Sequence, residues 1–545
     1  MRLPSIFLAI TVSLSSSIAS AGDWPQWGCR PDRNMASDAK NLPASFGPGK
    51  PIDRSRQIDM STTRNVKWAI VLGSQTYGNP VVSRGRIIVG TNDATLKDER
   101  FKRTRGGLVI CCDAETGETL WRLVVPRFET KDKRSNLDHL NLGICNSATI
   151  EGDRAYIISS RGDVLCLDMN GQADGNDGPF KDEGQYMVAK GLKPAKLNKF
   201  DADIIWRYNM ITELPVWPQD ALSCAVLIHG DFIYAGTSNA VDQSHINVPY
   251  PDAPSMIVLN KKTGKLLAVD KEKIGRRMLH GQWSSPTMGK IGGKTLVFYG
   301  AGDGMLYAFE ALSKSPAAGK VATLKKVWRY DCNPRDYRYR TDGAKILYQR
   351  IHGTARNTTR GEGPCEIIGT PVLYKNRVYV AIGQDPRHGT GKGCLSCVDA
   401  ATGKRIWESR LVERSLSTCS IYDGLLYIAD YTGNLHCFDP DSGKRHWVHH
   451  TDPEYGKWVF KTNSPLWSST FAADGKVYLG TEKKELWVFQ AGNKKKVLNR
   501  IRLLEKMSNT PITANGILYI ATGRYLYAVS HNTGGARNKQ HPNQE

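Results

Sequence analysis

An all-β fold, an eight-bladed β-propeller, is what this sequence predicts, and three observations predict it. A short frame recurs along the chain, a pair of strands stands ahead of each copy, and the last copy lacks a strand that the N-terminus supplies. The frame is plainest as GCLSCVDAATGKRIW (393–407), GLVICCDAETGETLW (107–121) and GNLHCFDPDSGKRHW (433–447). Alternating apolar residues make a half-buried strand, the Asp-to-Gly stretch supplies turn chemistry, and the Trp begins the next strand. Weaker copies at 164–168, 256–264, 306–310, 486–490 and 526–534 bring the number to eight.

Ahead of each frame come a small-polar start, an apolar strand, a Gly or Asp-Gly turn and a second strand, as in 79–90, 369–380 and 509–520. Each module is therefore four antiparallel strands, A to D, with Trp68, Trp121, Trp206, Trp328, Trp407 and Trp447 as the repeated Trp of strand D. One such module cannot bury both faces, so modules of roughly fifty residues stack around an axis.

In chain order, residues 1–21 read as a cleaved secretory signal, with an apolar run shorter than the roughly 20 residues of a membrane span. The mature protein is expected to be exported, periplasmic or secreted, with no transmembrane segment and as a monomer. Residues 22–61 lack strand periodicity and read as an extended arm, pinned by Trp24 and Trp27. The propeller is expected over 62–534 and a disordered polar tail over 535–545. Because the final module stops before its Trp strand while 66–71 is a Trp strand without a hairpin, the N-terminus should complete the last blade.

Antiparallel order puts the D-to-A and B-to-C loops on one face and the A-to-B and C-to-D loops on the other. The first face carries the long segments 91–106, 127–144, 238–254, 331–366 and 384–392, whereas 169–203 is assigned to the second. Long loops on a rigid scaffold are where binding resides, so the first face is the expected functional face. Its channel mouth should gather Trp217, Asp220, His280, Gln282, Trp283, Arg414 and Trp467, together with Tyr77, Asp138, His139 and Asn141. Aromatic platforms beside His, Asp and Arg suit a carbohydrate or acidic small molecule, and the same Trp residues equally suit a plug packed on the axis.

The repeat frame resembles the pyrroloquinoline-quinone-like (PQQ-like) β-propeller repeat family over nearly all of 68–534. Segments 23–27, 174–180, 280–286 and 383–389 further resemble a secreted bacterial branch of it. The resemblance implies the eight-bladed fold. It implies two kinds of activity: PQQ-dependent dehydrogenases that use calcium, and non-catalytic scaffolds such as an outer-membrane assembly factor.

The residues themselves lean to a scaffold. The Glu, Asn and Asp set that holds calcium beside the quinone in the family's dehydrogenases has no recognisable counterpart, and Cys111-Cys112 lies within strand C rather than in a loop over a cofactor. Asp174, Asn176 and Asp177 could chelate calcium but lack EF-hand register and read as a turn. Cys394-x-x-Cys397 has Val398 where a haem motif needs His. Of the 12 cysteines, Cys111, Cys166, Cys397 and Cys437 fall in the frame position that Ala308 and Ala528 hold, and read as packed free thiols. A Cys332–Cys365 bridge is left open. The net charge of +21 is dispersed, which suits solubility or an anionic envelope partner, an envelope protein or an anionic glycan, and export excludes nucleic acid. A binding or scaffold module, a PQQ-dependent oxidoreductase and a sugar-active enzyme at the channel mouth remain as functions.

Overall fold

The computed structural model describes residues 22–53, 56–102, 104–348, 363–385, 392–452, 466 and 468–531. The segments read as signal and as tail, and Trp467, lie outside them. Eight antiparallel sheets follow one another in the order A-B-C-D, and the eighth is completed by Val66–Val71 pairing with Tyr525–Val529. The A strands are Val81–Ser83, Thr149–Glu151, Leu227–His229, Thr287–Ile291, Val372–Tyr374, Ser420–Tyr422, Phe471–Ala473 and Ile512–Ala514. Among the described residues no helix is long and apolar enough to cross a membrane.

The frame explains how blades join. Trp68, Trp121, Trp206, Trp328, Trp407 and Trp447 stand across from Ala528, Cys111, Cys166, Ala308, Cys397 and Cys437. Each indole N–H donates to a carbonyl of the next blade at 2.9 to 3.1 Å, and all six rings but the half-buried Trp407 are buried. Four of the rings lie on the turn glycines Gly117, Gly264, Gly403 and Gly443, whose φ values run from +69° to +77°. A Cβ there would meet a ring carbon at 2.5 to 2.7 Å, so these positions need glycine for conformation and for space. Where the facing residue is larger the Trp is absent: Val258 faces Ala268, and Val488 faces Asn499. The pair conserves volume, as a close-packed interior requires.

All 12 cysteines are free, including Cys332 and Cys365, so the bridge that the spacing allowed is not formed. Burial pushes the Cys112, Cys166, Cys397 and Cys437 thiols up to about 12, which leaves them as small inert hydrophobes.

The N-terminal arm does more than its composition suggests. It meets every blade at or beside its A strand. Trp24 exchanges two main-chain bonds of 2.8 Å with Val82, and the Pro25, Pro31, Asp32 and Met35 carbonyls accept from Ile150, Met288, Leu373 and Ala472. Arg33 Nη2 donates to the Val226 carbonyl, Asn34 bonds both ways with Ile421, and the Gly22 carbonyl accepts from Asn515. Residues 36–37 then pair in parallel with strand A of blade 7, and Gly47–Ile52 with Gln57–Arg64 form a hairpin. The hairpin is mostly solvent-exposed, so no apolar alternation marks it in the sequence.

The 169–203 insertion also departs from the assignment by connectivity. It leaves on the second face but climbs the outer flank between blades 1 and 2, bonding through Phe200 and Ala202 to Arg122, until Tyr186 reaches Asp163 on the first face.

Candidate functional site

An axial cavity of about 260 Å³ lies above the arm. Its wall contains the residue two positions before strand A from every blade: Asn79, Ser147, Ala225, Ser285, Thr370, Thr418, Ser469 and Thr510. These are the small-polar starts of the repeat. Their side chains link neighbours around the ring, since Thr370, Thr418, Ser469 and Thr510 each donate a backbone N–H to the next side-chain oxygen, at 3.0, 2.8, 2.9 and 2.6 Å. Ala225 N–H does the same with Ser285 Oγ at 2.9 Å. The belt satisfies backbone donors that would otherwise be stranded at the start of each inner strand.

Trp27 of the arm lines the same cavity and donates its indole N–H to Thr370 Oγ1 at 3.1 Å. Beneath it the buried Arg33 donates to Trp27, Gln26, Pro286 and Val226 oxygens at 2.6 to 3.1 Å. Burial pulls its guanidinium down to about 10. The channel is thereby a cup, stopped on the second face and bordered by first-face loops.

Of the residues read from sequence, Asp220 and Trp283 line the cup, as does Tyr77. Asp220, held at φ +53°, accepts from Gln219 Nε2 at 2.8 Å, and His139 Nδ1 stands 3.5 Å from its Oδ1. His280 is buried beside Trp283, at 5.6 Å between ring centroids, and stacks on His245 with its Nε2 2.8 Å from the His245 Nδ1. Gln282 is spent inside the wall, donating to the Asn239 carbonyl and Ser255 Oγ at 2.6 and 2.9 Å. Trp217 sits at the rim, between Tyr250 and the Arg134 guanidinium. Arg414 is buried over the Tyr431 ring at 4.1 Å. The cup therefore brings Asp220, Trp283 and Tyr77 together, and leaves His280, Gln282, Trp217 and Arg414 outside its lining.

Sequence reasoning did not single out Glu366 or Tyr348, and carried Asp385 only within the 383–389 segment. Glu366 is fully buried and accepts from Tyr348 Oη at 3.1 Å and Asp385 N–H at 2.9 Å, and burial pushes its carboxyl up to about 8. Tyr348 stacks on His280 at 6.2 Å. No sequence signal marked Glu366, which lies beside a long loop without a motif.

Among the described residues no three His, Cys, Asp or Glu side chains come together as a metal centre. In the 174–177 segment Asp174 accepts from Asn170 Nδ2, and the Asn176 side-chain oxygen accepts from the Lys181 ammonium at 3.0 Å.

A closed ring with an inner-edge arm and a polar axial cup defines a PQQ-like eight-bladed propeller. The chain belongs to the family described as outer membrane protein assembly factor BamB, whose model matches residues 197–448 and 317–541. A BamB of Nitrosomonas eutropha is 31% identical over 121 residues, which cover 22% of this chain and 26% of that protein. Among solved structures, the quinohemoprotein alcohol dehydrogenase of Comamonas testosteroni aligns with a TM-score of 0.55 at 13% identity, covering 97% of this chain and 83% of that one. A europium-containing methanol dehydrogenase gives 0.56 at 12% identity, over 94% and 98%. At such identities the likeness is one of fold.

Proposed function

We propose that the protein is an exported, non-catalytic propeller of the cell envelope that acts as a binding scaffold in outer-membrane protein assembly, with the axial cup as its binding seat. Membership of the assembly-factor family supports the class. The observation that carries the seat is the cup's construction: a stopped base, a belt of side-chain oxygens tied from blade to blade, and Trp283 with Asp220 at the lip. Such a wall offers fixed hydrogen-bonding groups and an aromatic platform, which is what recognition needs. The dispersed charge of +21 favours an anionic partner surface.

The test is a binding screen of purified protein by thermal shift, with outer-membrane β-strand peptides, anionic glycans, and PQQ with calcium. A hit that Trp283→Ala combined with Asp220→Asn weakens at least tenfold, with the melting temperature held within a few degrees, supports the reading. Bound-quinone absorbance with dye reduction would overturn it in favour of an oxidoreductase.

A further inference from the structure

A second cavity of about 820 Å³ lies away from the axis, on the first-face rim between blades 1 and 2. Its size falls within the roughly 300–1,000 Å³ of small-ligand sites. It is formed by the loop that follows Thr119–Val125, by Arg161 of the turn between Arg154–Ile158 and Asp163–Asp168, by the end of Ile204–Asn209 with Thr212 beyond it, and by the 169–203 insertion.

Its floor is built around Asp163, which is fully buried. Neutral donors already satisfy that carboxylate. Asn209 Nδ2 donates to Oδ1 at 2.7 Å, while Ser159 Oγ and Tyr186 Oη donate to Oδ2, both at 3.0 Å. Two guanidiniums pair with it at longer range through Nε, Arg207 at 3.4 Å and Arg161 at 4.0 Å, and Arg161 Nη1 also donates to the Tyr186 carbonyl at 3.3 Å, so their remaining N–H groups are the ones a ligand would meet. Both lie against rings, Arg161 4.6 Å over Tyr186 and Arg207 6.0 Å over Phe180. Stacking of this kind fixes the guanidinium plane and leaves its N–H edge for a planar anion. Phe180 and Tyr186 meet edge to face at 6.2 Å, so one wall is aromatic. Four cations (Arg127, Arg161, Lys190, Arg207) face two acids (Glu129, Asp182) around the cavity with Asp163 a third beneath them, and Gln185, Asn209 and Thr212 add uncharged donors and acceptors.

We infer that this rim cavity is a binding site for an acidic sugar, a ring bearing a carboxylate or sulfate. The ring would lie on the Phe180 and Tyr186 wall, the anion would take the fork of Arg207 and Arg161, and the hydroxyls would meet the amide and hydroxyl groups of the rim. Each part of the ligand answers to a different feature of the wall. A neutral sugar would leave the guanidiniums unmatched, and a bare inorganic anion would leave the rings unused. The site is separate from the axial cup and does not depend on what that cup binds.

Calorimetric titration of the whole protein with trigalacturonate, and with maltotriose as the neutral counterpart, tests it. The expected result is saturable binding of trigalacturonate that weakens as salt rises, no binding of maltotriose, and at least a tenfold loss in Arg207→Ala. Asp163 keeps its neutral donors in that variant, so folding should survive. Phe180→Leu keeps the packing volume but removes the ring, and should lose affinity to a similar degree. Equal affinity for the two sugars, no trigalacturonate binding at millimolar concentration, or full affinity in both variants would each overturn the inference.

Discussion

Gly403→Ala measures the blade joint directly, because the chain carries its own control. Gly403 and Gly424 have the same backbone conformation, φ +71° in each. A Cβ at Gly424 meets nothing within 4 Å, whereas at Gly403 it would lie 2.6 Å from Trp328 Cδ2 and 2.8 Å from Cε3 and Cγ. The left-handed conformation costs an alanine about 1 kcal/mol at either place. Only Gly403 adds overpacking, typically ~1–3 kcal/mol, because the indole cannot retreat while its N–H holds the Ala400 carbonyl at 3.1 Å. The expected penalties are therefore about 1 kcal/mol for Gly424→Ala and roughly 2–4 kcal/mol for Gly403→Ala. Guanidinium unfolding followed by far-ultraviolet circular dichroism reads both. In a Trp328→Ala background, itself costing ~3–5 kcal/mol, the extra penalty at Gly403 should fall to about 1 kcal/mol. Equal penalties at the two glycines, or an unchanged penalty at Gly403 without the indole, would refute the account of the joint.

Two further outcomes follow from buried charge. Arg33→Met should cost about 3 kcal/mol, since it strands the carbonyls of Trp27, Pro286 and Val226 at the axis, and should open residues 22–35 to limited proteolysis while the blades stay intact. Asp203 has its carboxyl pushed up to about 7, first by burial and then by Glu183, Asp168 and Asp177. The folded state thus holds its proton after the unfolded chain has lost it, so Asp203 erodes stability as pH rises from about 4 to about 7. Asp203→Asn should match the parent below pH 4 and melt higher than it at pH 8, as calorimetry would record.

The blades were legible because their information is carried by side chains at fixed spacing. Trp407, Asp399 and Gly403 each have one job that few residues can do, so the frame repeats and can be counted. The cup was legible in part. The small-polar starts at Thr370 and Asn79 were visible as a pattern, but their bonds run to the next blade, at separations of 48 residues for Thr370–Thr418 and 431 for Thr510–Asn79. Spacing along one module cannot reveal a contact between modules. Arg414 misled for a related reason: position before an inner strand gives proximity to the axis, but not the rotamer that lays its guanidinium on Tyr431.

The arm was hidden for a different physical reason, and that reason bears on function. Its contacts with the A strands are largely main-chain, as with Trp24–Val82 and Met35–Ala472, and main-chain bonds ask for no side-chain periodicity. Seven blades would otherwise present an unpaired N–H group to the channel, and blade 3 the Val226 carbonyl, at a cost of about 1–3 kcal/mol for each that water cannot reach. By meeting one group in each blade the arm turns an open tube into a cup with one mouth. A ligand in the cavity would meet Trp283, Asp220 and the belt, all of which line it. A stopped channel suits a protein that holds a partner more than one that threads a substrate. The same stopper links the N-terminus to all eight blades, so loosening Arg33 should alter binding at the cup and not only stability.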